Sequence, residues 1–249
     1  MSHSEEPTTY EGADLEALAS LKRYQSWIVE TFQPYLSGRA IEFGAGIGNI
    51  SVRLTEHVSS LDLVEPSANL AVPLKERFAG DQNVVVYSQP LEAQLPEIAD
   101  QTYDCVVLVN VLEHIEDDAA ALAGFWRILK PGGHLLLFVP AMKFLYSDLD
   151  AAVGHFRRYL RPELDARVGQ AGFNIVRSRY FDIIGVAPWW LLNTVMGSTG
   201  FSPLLVGLYD TLFTPLTRAL ESLVPPPFGK NILLVARRPE NEIIEGTHR

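Results

Sequence analysis

Short apolar runs recur along the chain at 40–43 (AIEF), 60–65 (SLDLVE), 84–88 (VVVYS), 103–109 (YDCVVLV), 134–139 (HLLLFV), 174–180 (NIVRSRY) and 231–237 (NILLVAR). Several are apolar at consecutive positions rather than at every other one, the pattern of a strand covered on both faces. Stretches with helical spacing separate most of them, so the pattern predicts βαβ units and a doubly wound, mostly parallel α/β sheet. An amphipathic helix is predicted over LEALASLKRYQSWIVETFQPYL with Asp14 as its N-cap, ended by the turn at Gly38. Residues 1–13 read as a flexible lead-in, 14–237 as one domain and 238–249 as a tail.

One stretch departs from this rhythm. From Ile183 to Tyr209 the chain runs 27 residues without a charge. Pro188, Asn193, GSTG at 197–200 and Pro203 interrupt it, so a membrane-spanning helix of roughly 20 residues is not expected. Residues 183–226 instead form a helical insertion before the last strand, serving as buried core, as a lid or wall over an apolar acceptor, or as an interfacial membrane contact.

Composition narrows the function classes. A chain of 249 residues, 47% hydrophobic and 20% charged, supports a substantial core. Its net charge of -10 argues against a nucleic acid partner, because that affinity comes mainly from clustered Lys and Arg. Cys105 is alone, so neither a disulfide framework nor a cysteine metal site is available, in keeping with a reducing cytoplasm. MSHSEEPTTYEGAD lacks the basic and apolar regions of a signal peptide, and a cytoplasmic location is expected.

Candidate chemistry begins at IEFGAGIGNIS (41–51). Gly44, Gly46 and Gly48 follow a strand and precede a helix expected near Asn49, allowing a tight turn and close approach of a ligand to the backbone. A dinucleotide fingerprint would carry GxGxxG, and a P-loop would add GK[ST]; neither is present. Glu65 stands 21 residues beyond Gly44 at the end of the second strand, where a carboxylate accepts hydrogen bonds from both ribose hydroxyls. Together these features point to an adenosine-containing ligand.

Taken with VEPS (64–67), VNVLEHI (109–115) and LKPGGHLLLFVP (129–140), this chain resembles the class I S-adenosylmethionine-dependent methyltransferases, notably the group with an LEHI-type sequence after the fourth strand. The resemblance spans about residues 20–237. It implies a Rossmann-like, seven-stranded sheet with helices on both faces and S-adenosylmethionine as cofactor. It implies that Gly44, Ala45, Gly46, Gly48 and Asn49 form the cofactor turn, with Glu42 near the methionine moiety and Glu65, Pro66 and Ser67 at the ribose. Tyr24 resembles a tyrosine over the cofactor, although helix packing explains it equally. Asn110, Val111 and His114 are placed beside the cofactor. Relatives often carry an acidic residue for the adenine amino group after the third strand; here the segment reads YSQPLEA, leaving Ser88 or Gln89 as acceptor and Leu91 against the base.

The sulfonium already carries an activated methyl, so the protein's task is to align a nucleophile, exclude water and, where required, remove a proton. YSDLDAAVGHFRRYLRPEL (146–164) concentrates polar groups after the fifth strand and resembles an HYRRY-like stretch of relatives acting on small molecules or glycolipids. His155 is the candidate base, because an unperturbed imidazole titrates near neutrality. Arg157 or Arg158 is a candidate anchor for an acceptor carboxylate or phosphate, and Tyr159 joins the candidate catalytic set; pairing of these groups with Asp148, Asp150 or Glu163 is the structural alternative. Glu116, Asp117 and Asp118 follow His114, but carboxylates in a helix's first turn are stabilised by its dipole, so no metal is expected. The leading expectation is methyl transfer to a small acceptor with an apolar body, most often at oxygen. A lipid-linked acceptor at a membrane surface and a non-catalytic cofactor-binding domain are the alternatives.

Overall fold

The computed structural model describes residues 19–200 and 202–240. The expected lead-in, the Asp14 cap and most of the C-terminal tail lie outside the described residues. Seven strands form one sheet: β1 (Arg39–Phe43), β2 (Ser60–Val64), β3 (Val84–Tyr87), β4 (Tyr103–Val109), β5 (Leu129–Pro140), β6 (Asn174–Phe181) and β7 (Asn231–Arg237), in the order β3-β2-β1-β4-β5-β7-β6. The first five pair in parallel, while β7 runs antiparallel between β5 and β6.

Both faces of the sheet are covered, which explains the unbroken apolar runs. On β4, Cys105 and Val107 join a core with Tyr24, Trp27, Ile28, Val29 and Phe32 of helix α1 (Lys22–Phe32). Val106 and Leu108, pointing the other way, pack with Leu122, Phe125 and Ile128 of a helix spanning Asp118–Ile128. Strand order reverses between β1 and β4, and a crevice opens beyond their carboxyl ends at that point.

Two expectations require correction. The helix expected from Asn49 begins at Ser51 and lasts one turn, to Leu54, because the chain through 46–50 is still turning. Residues 183–209 are not buried core. Val186–Trp189 and Trp190–Val195 are short helical pieces, and a continuous helical run, with a wide π-type turn at Tyr209–Phe213, extends from Pro203 to Leu223. That run is inverted. Leu204, Leu208, Leu212, Leu216, Leu220 and Leu223 are exposed at successive turns, whereas Asp210, Thr214, Thr217 and Glu221 are buried. The inward polar groups have work to do: Asp210 accepts from the backbone N–H groups of Arg23 and Tyr24 at 3.0 and 2.9 Å, and Glu221 pairs with Arg179 at 2.9 Å.

Candidate active site

A cavity of about 460 Å³ occupies the reversal crevice. Its floor is the turn after β1. Gly44 donates its N–H to the Val64 carbonyl at 2.8 Å, with φ at +69°, and a Cβ there would stand 2.4 Å from Val111. Gly48 has a different role. It is absent from the cavity wall, and a Cβ on it would meet Phe78 and Leu74, so this glycine permits close packing of the following segment.

Glu65 is buried and closes the turn on itself. Its two carboxylate oxygens accept from the Gly46 and Ser67 N–H groups, each at 2.8 Å. Glu42, also buried on the wall, accepts from the Ser51 hydroxyl at 2.6 Å. Burial pushes its pKa up to about 8, with the nearby Glu65 adding to the effect and the Ser51 bond opposing it. Tyr24, Ala45, Gly46, Asn49, Pro66, Ser67, Leu91, Asn110, Val111 and His114 all reach this wall. Tyr24 is fixed by donating to Asn231 Oδ1 at 3.0 Å, and Asn110 adopts φ of +55°, a conformation asparagine tolerates.

Gln89 is exposed and outside the cavity wall, and the Ser88 hydroxyl accepts from Lys75 at 2.7 Å. Glu92, just beyond the expected positions, lines the cavity instead.

The far wall carries a polar corner. His155 Nδ1 lies 2.8 Å from Asp150 Oδ1, and Asp150 also accepts from Arg158 Nε at 2.8 Å and from the Ser147 hydroxyl at 2.9 Å. Burial opposes ionisation of Asp150, but bonds from His155 and Arg158 outweigh it and hold the carboxyl below its ordinary range. Next to His155 stand His114, ring centroids 4.6 Å apart, and Glu113, with Oε1 3.8 Å from His155 Nε2. Glu113 is fully buried, and neither carboxylate oxygen has a hydrogen-bond partner in another residue; only its own backbone N–H lies near enough to favour the charged form. Burial pushes its pKa up to about 7, against the pull of His155; burial and His155 together push His114 down to about 4.

The arginine and tyrosine of the catalytic set are corrected. Arg157 points away from the cavity, pairing with Asp118 at 2.9 Å and donating to the Glu116 carbonyl. Tyr159 is buried, donates to Asp118 at 2.9 Å and is absent from the wall. Arg158 is the arginine that faces in, its guanidinium 4.6 Å from the centre of the Trp189 ring. Asp117 caps the helix at Ala120 N, and Asp118 holds Arg157, Arg167 and Tyr159, so neither carboxylate is free for the cavity. Trp189, Lys230 and Asn231 were not singled out from the sequence; they enter the wall from the insertion and the start of β7, where no sequence motif marks them.

A doubly wound sheet with a glycine turn and a buried carboxylate at its reversal point defines a Rossmann-like nucleoside-binding protein. The methyltransferase-domain family profile matches residues 17–178, and the chain belongs to that family of S-adenosylmethionine-dependent enzymes. A probable polyketide synthase 41 of Dictyostelium discoideum is 27% identical over 145 residues, covering 49% of this chain but 6% of that much longer protein. The ubiquinone biosynthesis O-methyltransferase of Pseudomonas aeruginosa (strain UCBPP-PA14) is 28% identical over 179 residues, covering 65% of this chain and 72% of the relative. The fold matches Haemonchus contortus phosphoethanolamine N-methyltransferase 2, solved with S-adenosylmethionine, at a TM-score of 0.61 and 17% identity, over 92% of this chain and 58% of that one.

Proposed function

We propose that this enzyme transfers the methyl group of S-adenosylmethionine to an oxygen of a small, partly apolar acceptor, in a cytoplasmic setting. The observation that carries this reading is the His155–Asp150 pair on the wall of the cavity that also holds the glycine turn and Glu65. Asp150 fixes the Nδ1–H tautomer of His155, leaving Nε2 as the proton-accepting atom. The acceptor's hydroxyl lies at this corner, its apolar body against Leu149, Val153 and Trp189. Arg158 and Lys230 also line the cavity, each paired with a buried carboxylate, Asp150 and Asp182. Glu92 takes the adenine amino group. The O-methyltransferase named among the relatives supports oxygen chemistry.

Glu42 gives this assignment a pH signature. Its carboxyl is largely protonated below pH 8, whereas the cofactor's ammonium favours the ionised form. Cofactor affinity is therefore expected to rise as pH increases, by about tenfold between about pH 6 and 7. Calorimetry across that window checks this, and Glu42→Gln should flatten the profile; an equally steep profile in the variant would remove Glu42 from the methionine end.

A second reading concerns where the acceptor resides. Among the described residues no helix is long and apolar enough to cross a membrane. The inverted run at 203–223 nevertheless presents a leucine stripe that, at 1.5 Å per residue, extends roughly 30 Å. Beside its C-terminal end, a groove bounded by Pro225 and Pro226 holds Arg161 and Arg177 together with the Arg179–Glu221 and Arg218–Glu30 ion pairs. An exposed apolar stripe of this length, with Arg161 and Arg177 near its C-terminal end, fits the surface of a bilayer and a lipid-linked acceptor. Flotation with vesicles of phosphatidylcholine and phosphatidylglycerol should recover the protein, and Leu212→Glu/Leu216→Glu/Leu220→Glu should lower the bound fraction at least about tenfold. Absence of the wild type from the vesicle layer, or self-association abolished by the same variant, would replace the bilayer with solution or a second copy.

A further inference from the structure

We propose that Glu113, His114 and His155 bind a divalent first-row transition cation, and that this cation holds and acidifies the acceptor's hydroxyl. The inference rests on the cavity being the acceptor site and departs from the expectation of no metal there. Glu116, Asp117 and Asp118, next to His114 in sequence, are not its partners in the fold, which brings His114 to Glu113 and His155 instead. One ligand atom from each of Glu113, His114 and His155 lies within 4.8 Å of the other two.

Three features distinguish this cluster from a chance meeting of polar groups. Glu113 is buried with both oxygens unpartnered by any other residue, and at 3.8 Å His155 Nε2 is too distant to satisfy one. A buried carboxylate without donors is costly, and a cation supplies the missing charge. The second feature is the orientation of His155. Its Nδ1 meets Asp150, itself anchored by Arg158 and Ser147, which directs the Nε2 lone pair towards Glu113. Carboxylate support of this kind fixes a metal-binding imidazole and raises its basicity. The third is access. His114 and His155 both line the cavity, so an ion there would face the acceptor.

The donor set selects the ion. Two imidazole nitrogens and one carboxylate oxygen suit the Mn²⁺ to Zn²⁺ series better than Ca²⁺, which prefers oxygen alone. Ligand atoms around such an ion stand about 3 to 3.5 Å apart, so separations of up to 4.8 Å close by at most about 1.5 Å on binding. Three protein ligands leave positions open for the acceptor oxygen and water. The bound hydroxyl releases its proton to solvent, its oxygen forms the C–O bond as the C–S bond breaks, and S-adenosylhomocysteine departs with the electron pair. With the cation present His155 Nε2 is a ligand; in the ion-free enzyme it is the proton acceptor.

The 249-residue protein, stripped by chelator and titrated with Zn²⁺ in a calorimeter and with Mn²⁺ by electron paramagnetic resonance, tests the proposal without an acceptor. One ion per chain is expected. Glu113→Gln and His155→Ala should each weaken binding at least about 10 to 100-fold, and Asp150→Asn should weaken it through its effect on His155. S-adenosylhomocysteine affinity, measured in every variant, confirms that the fold and the cofactor end are intact. Failure of the wild type to bind either ion stoichiometrically, or unchanged affinity in Glu113→Gln, would overturn the cation site. Should ion-free enzyme then still lose activity on His155→Ala, the acceptor-site reading would survive its loss.

Discussion

His155→Ala is expected to slow methyl transfer by roughly 10² to 10⁴-fold while leaving cofactor affinity unchanged. The residue lines the same cavity as the glycine turn, at the corner proposed for the acceptor, and it is held there by Asp150. On the proposed reading, removing the imidazole deletes the group that accepts the acceptor's proton or holds the cation that acidifies it, and leaves the cofactor end untouched. Transfer of label from methyl-tritiated S-adenosylmethionine to a catechol or phenol that the wild type methylates reads the rate, and calorimetry reads the affinity. The chemistry adds a discriminating readout. A phenol acidified by electron-withdrawing groups is already ionised at neutral pH and should lose much less rate in the variant than an ordinary phenol. Equal losses with both acceptors would reduce His155 to a residue that shapes the loop, and full activity would remove it from the reaction.

Glu65→Ala is expected to weaken cofactor binding by about 3 kcal/mol, roughly 100-fold, and to destabilise the unliganded protein by about 1 to 3 kcal/mol. The sequence alone assigns Glu65 to the ribose; the structure gives it a second task. Its oxygens accept from Gly46 and Ser67, so the carboxylate assigned to the sugar also joins the turn after β1 to the segment after β2. Truncation removes the sugar's partner and strands two N–H groups near the cavity floor. Paired measurements separate the two tasks: calorimetry for the cofactor and urea unfolding for the free protein. Glu65→Gln retains one acceptor oxygen and should recover part of the stability. Its amide also donates, which the Gly46 and Ser67 N–H groups cannot use, so recovery should be incomplete. An unchanged dissociation constant in Glu65→Ala would show that the sugar is held elsewhere.

The strands and the cofactor turn were legible because their signals are local. Residues such as Val106 and Val107 face opposite cores, and that requirement writes itself into consecutive apolar positions. Glu65 follows its strand directly, so its place was set once the strand was recognised. Contributions to the far wall depend on the direction in which a segment without regular structure points. In HFRRY the chain is extended, and adjacent side chains diverge: Arg157 and Tyr159 share Asp118, whereas Arg158 turns to Asp150 and the cavity. A shift of one residue therefore separates a surface ion pair from a wall residue, and residue type alone gives no basis for choosing between two arginines.

The insertion posed a different problem. The leucine period of 203–223 can be read, but which face turns inward is decided by partners remote in sequence. Asp210 caps the start of α1 and Glu221 meets Arg179, and these contacts turn the leucines outward. Glu113 was visible in LEHI, yet its burial without a partner emerges only when His155, more than 40 positions later, is brought beside it.

We propose that the cavity at the sheet's reversal point binds S-adenosylmethionine through the turn at 44–48 and Glu65. Isothermal titration of the wild-type protein with S-adenosylhomocysteine tests it most directly. Saturable binding of one nucleoside per chain, lost when Gly46 is replaced by valine, is the predicted result. No heat of binding to the folded wild type, or equal affinity in Gly46→Val, would contradict it.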